Sequence, residues 1–531
     1  MKIARSPSSS RSCPVLLSLF LAAILSACSD GSDSIPSEFT GASYHVDCSA
    51  ATPGDGTKDA PWSDLEAVNA ITLEPGDQLL LRRGTVCYGM LKPRGSGTQQ
   101  HRVRIGAYGD GALPHIDAQG MYTAAVHIED MSHVVVQDLE LTNSGDETTP
   151  HRGVYLTPVQ SRMTNLEVRD LYIHDVSGPV GFNGTAKRGG GIIGNSLFDT
   201  TETQFDGVLI ENNRIEDVAR SGIYFDGTSA GTGDRPRAFE PWPAAGQRVV
   251  IRGNVLKRLQ GDAIVAHGTA GAVIEDNVVS VGNLAGRDWL SADRNCSAGI
   301  WTWNSINTVI QRNEVSGYRF GQSETDGCDG TAFDIDNEQE GTVIQYNYSY
   351  NNEGGFILLC SDDEPHTGIV RFNLSIDDGK VLNVSPCKAP IVGTFNDIHI
   401  YNNTFVSSRP ITALETVTLR EITNAGTMQF ANNIVYATAP HDAPLPCGDF
   451  CSNNLFYNMP SSGTHFVIGD PLFVDASWRG SGRLNAGRAF KLRDGSPATA
   501  AGMGLQNPPE QGDYFGNEVP ANPALGMHQP H

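Results

Sequence analysis

Basic residues are scarce in this chain: 37 Lys and Arg stand against 60 Asp and Glu, a formal charge of −23 over 531 residues. That balance argues against a nucleic acid or other polyanion held across a broad basic surface. It still allows an acidic sugar gripped locally by a few Arg. Beyond the N-terminus no run reaches the roughly 18 apolar residues that a membrane helix needs. Helix signals are few, the clearest being PWSDLEAVNAI, with Ser63 as N-cap and Glu66 completing a capping box. Charged residues make up only 18% of the chain, whereas 39% is hydrophobic, enough for a sizeable core. Length alone fits one large domain or several ordinary ones.

The N-terminus reads as a targeting segment rather than as fold. Lys2, Arg5 and Arg11 precede a mostly apolar run from Val15 to Leu25, and Leu25-Ser26-Ala27-Cys28 follows. This resembles the lipobox of bacterial lipoproteins, which implies cleavage after residue 27 and lipidation of Cys28. The plainer alternative is an ordinary signal peptide. Ser29 after the Cys favours, by the same resemblance, an outer-membrane anchor, periplasmic or surface-exposed. Residues 1–27 hold three positive charges and no acid, so the chain beyond them stands at −26 rather than −23. Residues 28–42 read as a flexible tether.

One short pattern recurs along the rest: VLIENNRI, VVIRGNVL, AVIEDNVV, TVIQRNEV, TVIQYNYS, IVRFNLS, IHIYNNTF and MQFANNIV. Its Asn falls at 213, 254, 277, 313, 347, 373, 403 and 433, and VVVQDLEL and LEVRDLYI are earlier copies with Leu139 and Leu171 in the Asn place. Most copies are followed by a further strand: SGIYFDG, DAIVAHG, AGIWTWN, TAFDIDN, GGFILLC or KVLNVSP. Irregular spacing with a constant minimum suggests a fixed coil plus insertions. The pattern predicts an all-β, right-handed parallel β-helix of about ten coils, stacked at about 4.8 Å. Stacked Asn would bond along the axis as Asn ladders do in cross-β stacks. A leucine-rich repeat would need its Leu/Asn consensus, and a propeller four strands per unit.

With these repeats, the chain resembles the pectin-lyase-like β-helix superfamily. DGTKDAPWSDLEAVNAITLEPGDQLLLRRG and GAYGDGALPHIDAQG look like the cap and first coil of its bacterial carbohydrate-active members. GDPLFVDASWRGSGRLNAGRAFKLRDGSPATAAG looks like their terminal segment. The resemblance implies a cap and first coil over residues 43–120, a β-helix over 121–460 and a C-terminal cap or terminal segment over 461–531. It also implies action on a poly- or oligosaccharide. A monomer is expected.

Setting the second strands in register places Ile223/Phe225, Ile264/Ala266, Ile300/Thr302, Phe333/Ile335, Phe356/Leu358 and Leu382/Val384 inward. Two outward columns result. One runs Tyr224, Val265, Trp301, Asp334, Ile357, Asn383, the other Asp226, His267, Trp303, Asp336, Leu359, Ser385. Taken singly, an outward Trp is often packed under a loop, and an outward Asp is usually a solvated group. Together, Tyr224, Asp226, His267, Trp301, Trp303, Asp334 and Asp336 form a groove suited to sugars. Insertions precede only the Trp strand and the Asp strand, and long loops on a rigid scaffold usually carry function. A further insertion after Asp226 carries Arg235, Arg237 and Trp242.

Ten Cys are present; Cys13 lies in the leader and Cys28 in the lipobox. Export makes disulfides the expectation for the other eight. The register sets Cys296 near Cys328 and Cys360 near Cys387, Cys48 with Cys87 would staple the cap, and Cys447 with Cys451 remain.

Asp334 and Asp336 stand two residues apart on one face. Neighbouring carboxylates hinder each other's ionisation, which separates an acid from a base or nucleophile. Glycosidic bonds are commonly cleaved by such a pair, so a glycoside hydrolase using Asp334 and Asp336 is the leading expectation. Glu353, at the rim, is a third catalytic candidate, and Asp326 and Asp329 in the overhanging loop are further binding candidates. A polysaccharide lyase or epimerase acting on a uronate is the alternative. Its base would come from loop residues such as Arg235, Arg237, Arg287, Arg294 or Lys380, with Ca²⁺ or Arg neutralising the uronate. A non-catalytic sugar-binding β-helix is the third reading. The metal requirement is otherwise open.

Overall fold

The structure is a computed structural model. It describes residues 39–181, 184–196, 204–226, 246–282, 296–319, 329–336, 339–361, 366–381, 383–386, 395–408, 428–445, 450–506 and 508–530. The leader with Cys28, and Asp326, Cys328, Cys387 and Cys447, lie outside the described residues, as do Arg235, Arg237, Trp242, Arg287, Arg294 and Leu382.

The strands are short, mostly three to seven residues, and stack in parallel into three long sheets of 14, 14 and 9 strands. A typical coil begins at Phe205–Glu211 in the first sheet and turns at Asn213. It then passes through Arg214–Val218 in the second sheet and Ser221–Asp226 in the third. Each sheet contributes inward apolar side chains to one continuous core. In the first sheet Ile210, Ile251, Ile274, Ile310, Ile344, Val370 and Ile400 stack along the axis, all fully buried. The ten repeats read from the sequence mark ten strands of that sheet. Three strands without the Asn signal precede them, Ser43–Val46, Gln78–Arg82 and Val103–Tyr108, and Cys451–Ser452 follows.

The predicted Asn ladder is present and one rung longer, ending at Asn454. Each Asn side chain accepts through Oδ1 from the backbone and side-chain amides of the Asn on the coil before. Asn277 thus donates to Asn313 Oδ1 at 3.0 Å from both N and Nδ2, and Asn313 to Asn347 Oδ1 at 2.9 and 3.1 Å. Nδ2 also reaches back to a strand carbonyl, Ile274 O in the case of Asn313. At the upper end the Leu171 amide donates to Asn213 Oδ1, so Leu171 does occupy the Asn place. A residue of left-handed backbone precedes every rung from Asn213 to Asn454, among them Asn212, Arg312, Tyr346 and Asn453. The turn geometry is therefore repeated, and the ladder holds it.

The N-terminal end is covered by the helix Leu65–Ala70, whose Leu65 and Val68 enter the core. Its N-cap is Asp64 rather than Ser63: the Asp64 carboxylate accepts from the amides of Glu66 and Ala67. Cys48 and Cys87 form the expected disulfide beside it. Cys296, Cys360 and Cys451 are also disulfide-bonded. The terminal segment first adds the strand Val467–Ile468 to the end of the second sheet, then packs along the side of the solenoid. Phe490, Leu525 and Met527 pack with Tyr346, Tyr348, Phe372 and Leu374. Glu314 accepts from the amides of Gly482 and Arg483 at the start of the helix Arg483–Ala489, where a carboxylate suits the helix dipole. Among the described residues no helix is long and apolar enough to cross a membrane.

Candidate functional site

The third sheet carries the two outward columns. Its register matches the expectation across four strands. Tyr224 pairs with Val265, Val265 with Trp301 and Trp301 with Asp334, while Asp226 pairs with His267 and His267 with Trp303. The next strand differs by one residue. Phe333 pairs with Ile357 and Ile335 with Leu359, which puts Leu358 and Cys360 in the outward places expected for Ile357 and Leu359. GGFILLC is apolar throughout, so no alternation marks its faces, and Ile357 and Leu359 join the core.

The first column is packed rather than open. Tyr224 and Trp301 are each 3% exposed and form a small apolar cluster outside the sheet with Ile193, Val265 and Ala298. They were expected to face sugar directly; they do point away from the core, but both are buried. Lys187, the last residue of the short helix Gly184–Lys187, places Nζ 4.5 Å from the centre of the Trp301 ring.

The second column is a chain of charged and aromatic groups. Asp226 is fully buried and takes Arg188 at 2.8 Å on one oxygen and His267 Nδ1 at 3.1 Å on the other. Burial alone would raise its pKa, but His267 and Arg188 outweigh that and hold it below the usual carboxylate range. Tyr224 OH lies 3.4 Å from the same His267 nitrogen. The imidazole stacks on Trp303 at 4.4 Å with the planes 6° apart. Trp303 is half-buried, so this stack sets the tilt of an aromatic face that solvent can still reach. The indole nitrogens of Trp301 and Trp303 have no hydrogen-bond partner among the described residues.

Three carboxyls follow on the next coil. Asp334 is 5% exposed, and its Oδ1 has no hydrogen-bond partner among the described residues. Burial, then repulsion from Asp336 and Asp329, pushes its pKa well up. Asp329 is only half-buried at its surface. Burial, then Asp262 and Asp336, raises it to about 7 against the pull of Lys187 and Arg220. Asp336 is half-exposed, and its backbone amide donates to Thr302 O at 3.3 Å. The Glu353 carboxylate is engaged by Arg319 at 3.0 Å, while the next residue, Gly354, donates its amide to Gly330 O beside Asp329. Lys380, a loop cation considered for a lyase base, is buried. Among the described residues no group of three His, Cys, Asp or Glu side chains is arranged to hold a metal ion.

A buried pair supports this coil from below. Arg220 is fully buried and reaches Asp262 Oδ2 at 3.0 Å, Ser297 Oγ at 2.5 Å, Cys296 O at 2.9 Å and Gly181 O at 3.2 Å. It thus ties the approach to the Trp strand to the segment that leads to Lys187. Lys187, Arg188, Arg220 and Asp262 were not singled out from the sequence. Aligning GGIIGNS with SGIYFDG, the pairing observed here, would have set Lys187-Arg188 just before the first strand of the site.

The family described as "Right handed beta helix region" matches residues 113–313 and 203–405. A lacto-N-biosidase of Bifidobacterium longum subsp. longum is 26% identical over an alignment covering 96% of this chain and 38% of that protein. The crystal structure of a GH136 lacto-N-biosidase from Eubacterium ramulus superposes with a TM-score of 0.56 at 25% identity, over 68% of this chain and 64% of that one. The structure of XylC with xylose shares the fold at 11% identity and a TM-score of 0.51, over 92% of this chain and 98% of that one. This chain therefore spans well under half of the Bifidobacterium protein and just under two thirds of the Eubacterium structure. On the family match and its stacked parallel sheets, the chain belongs to the right-handed β-helix family.

Proposed function

We propose that the protein is a glycoside hydrolase with its reacting groups on the coil that follows the Trp strand. The observation that carries this is the group of neighbouring carboxyls whose environments separate their acidities. Asp329, raised to about 7 and partly open to solvent, suits a general acid that is still protonated near neutrality. Asp336, more exposed than Asp334, suits the base or nucleophile. Asp334, nearly sealed, is held protonated beside them by burial and by repulsion from Asp336 and Asp329. This brings Asp329, a binding candidate from the sequence, into the catalytic pair with Asp336 and leaves Glu353 as a rim residue bound to Arg319. Trp303, held by His267 and Asp226, supplies the stacking face for a sugar ring.

The names of the relatives support a lacto-N-bioside-type oligosaccharide as substrate. The uronate-lyase alternative is less well served. Of the site's cations, Arg188 is taken by Asp226 and Lys187 is enclosed against Trp301 among acids that would repel a uronate. The Leu25–Cys28 sequence supports export with a lipid anchor on Cys28. Hydrolysis is tested by incubating purified protein with a chromogenic lacto-N-bioside and a polysaccharide panel. Reducing ends and unsaturated-uronate absorbance are both read. Reducing ends without that absorbance are expected, and the absorbance would favour the lyase.

A further inference from the structure

We infer that Lys187 is a positioning residue of this site, its ammonium lodged over Trp301 so as to set the charge balance of the Asp329, Asp334 and Asp336 carboxyls. The inference rests on the proposed hydrolase site. A lysine is rarely buried without a purpose for its charge, and Lys187 is only 8% exposed. Its place is built from several sides. Its carbonyl accepts the Ser221 hydroxyl at 2.8 Å, and its Nζ lies over the Trp301 ring at 4.5 Å, a cation–π distance. Trp301 is the direct cross-strand neighbour of Asp334. The ammonium therefore sits against a ring whose strand is the direct neighbour of the acid coil.

The charged groups facing Lys187 are Asp262 and Arg220 beneath it, and Asp336 and Asp329 on the acid coil. Asp334 feels it as well. Asp262, the strongest of these on Lys187, is also paired with Arg220 at 3.0 Å. Lys187 therefore stands between that pair and the acids of the next coil, and its charge acts on both. Burial lowers the pKa of Lys187 itself while these acids raise it, so the ammonium and the carboxylates depend on each other. With three carboxyls and one cation, an ionised carboxylate is favoured and further ionisation is opposed. A hydrolase that needs one acid and one base at the same pH requires that division.

The test has two arms, using the full mature chain with Lys187→Met and Lys187→Arg. Lys187→Gln replaces the Met variant should that fail to fold. Without substrate, thermal midpoints are read from about pH 4 to about pH 8. Removing the cation leaves the carboxylates unbalanced once they ionise. The loss relative to wild type should therefore grow with pH, at least about twofold across that range, while Lys187→Arg follows wild type. A loss of equal size at every pH means a purely structural residue and overturns the inference. In the second arm kcat/KM is profiled against pH. The acidic limb of the Met variant should move to higher pH, because the base loses its cation, and that of Lys187→Arg should not. An unmoved limb in an active Met variant also overturns it. If wild type cleaves no glycoside, the hydrolase reading fails, and the first arm still decides the role of Lys187.

Discussion

Replacing Arg220 by Met removes a guanidinium that holds four groups in a fully buried place. Met has nearly the right length and no charge, so packing is largely kept and the polar loss is isolated. Asp262, 1% exposed, is left as a buried carboxylate without its cation. Removing one member of a buried pair typically costs about 3–5 kcal/mol, because the other charge stays behind. Two carbonyls, Cys296 O and Gly181 O, also lose a donor, which places the expected cost toward the upper end. Arg220→Met should therefore destabilise by about 4 kcal/mol in urea denaturation. Adding Asp262→Asn, which keeps an acceptor for the Ala298 amide, should recover more than about 1 kcal/mol of it. Arg220→Met within about 1 kcal/mol of wild type, or no relief from the second substitution, would refute the reasoning.

The ladder gives a second prediction. Asn313→Leu deletes four side-chain hydrogen bonds and strands the Asn277 amide, so it should cost about 3 kcal/mol after the apolar gain. Denaturation midpoints check this, and a loss below about 1 kcal/mol would make the ladder ornamental. A third concerns pH. Burial raises Asp378 to about 6 and Asp329 to about 7, although serines and Asn352 around Asp378 oppose its shift. A carboxyl with a raised folded pKa stabilises fully below its unfolded value and loses that contribution as pH rises through the folded one. Asp47, Glu216 and Asp226 are depressed and act oppositely, losing their contribution as pH falls through their folded values. Buried His127, lowered to about 4, and the lowered His45, His115 and His133 instead gain stability as pH rises to about 6.5, so the carboxyl effect is read as a difference. Relative to Asp378→Asn, wild type should lose up to about 3 kcal/mol as pH rises from about 4 to about 7, and a difference that stays constant with pH contradicts the assignment.

The solenoid was legible because its Asn are fixed by function within the turn. An Asn that must bond to the Asn above it recurs in one place per coil, and the apolar residues around it recur with it. Asn454 escaped notice because its strand, Cys451–Ser452, is only two residues long. The outward columns were legible as far as Ile335, where polar and apolar residues alternate, and were lost at GGFILLC, where they do not. Outward position also says nothing about what lies over a side chain. Tyr224 and Trp301 do face away from the core, yet a second small cluster encloses them. Lys187 and Arg220 are outside any repeat, Asp262 only opens the DAIVAHG strand, and only the folded coils bring them to the acids.

The central claim is that the Asp329–Asp336 coil cleaves glycosidic bonds, and the most direct test is turnover of a chromogenic lacto-N-bioside by wild type and by Asp329→Asn, Asp334→Asn and Asp336→Asn. The account predicts release by wild type and losses of about 10²- to 10⁴-fold in kcat for Asp329→Asn and Asp336→Asn, with a smaller loss for Asp334→Asn. Full turnover in either the Asp329 or the Asp336 variant would contradict it.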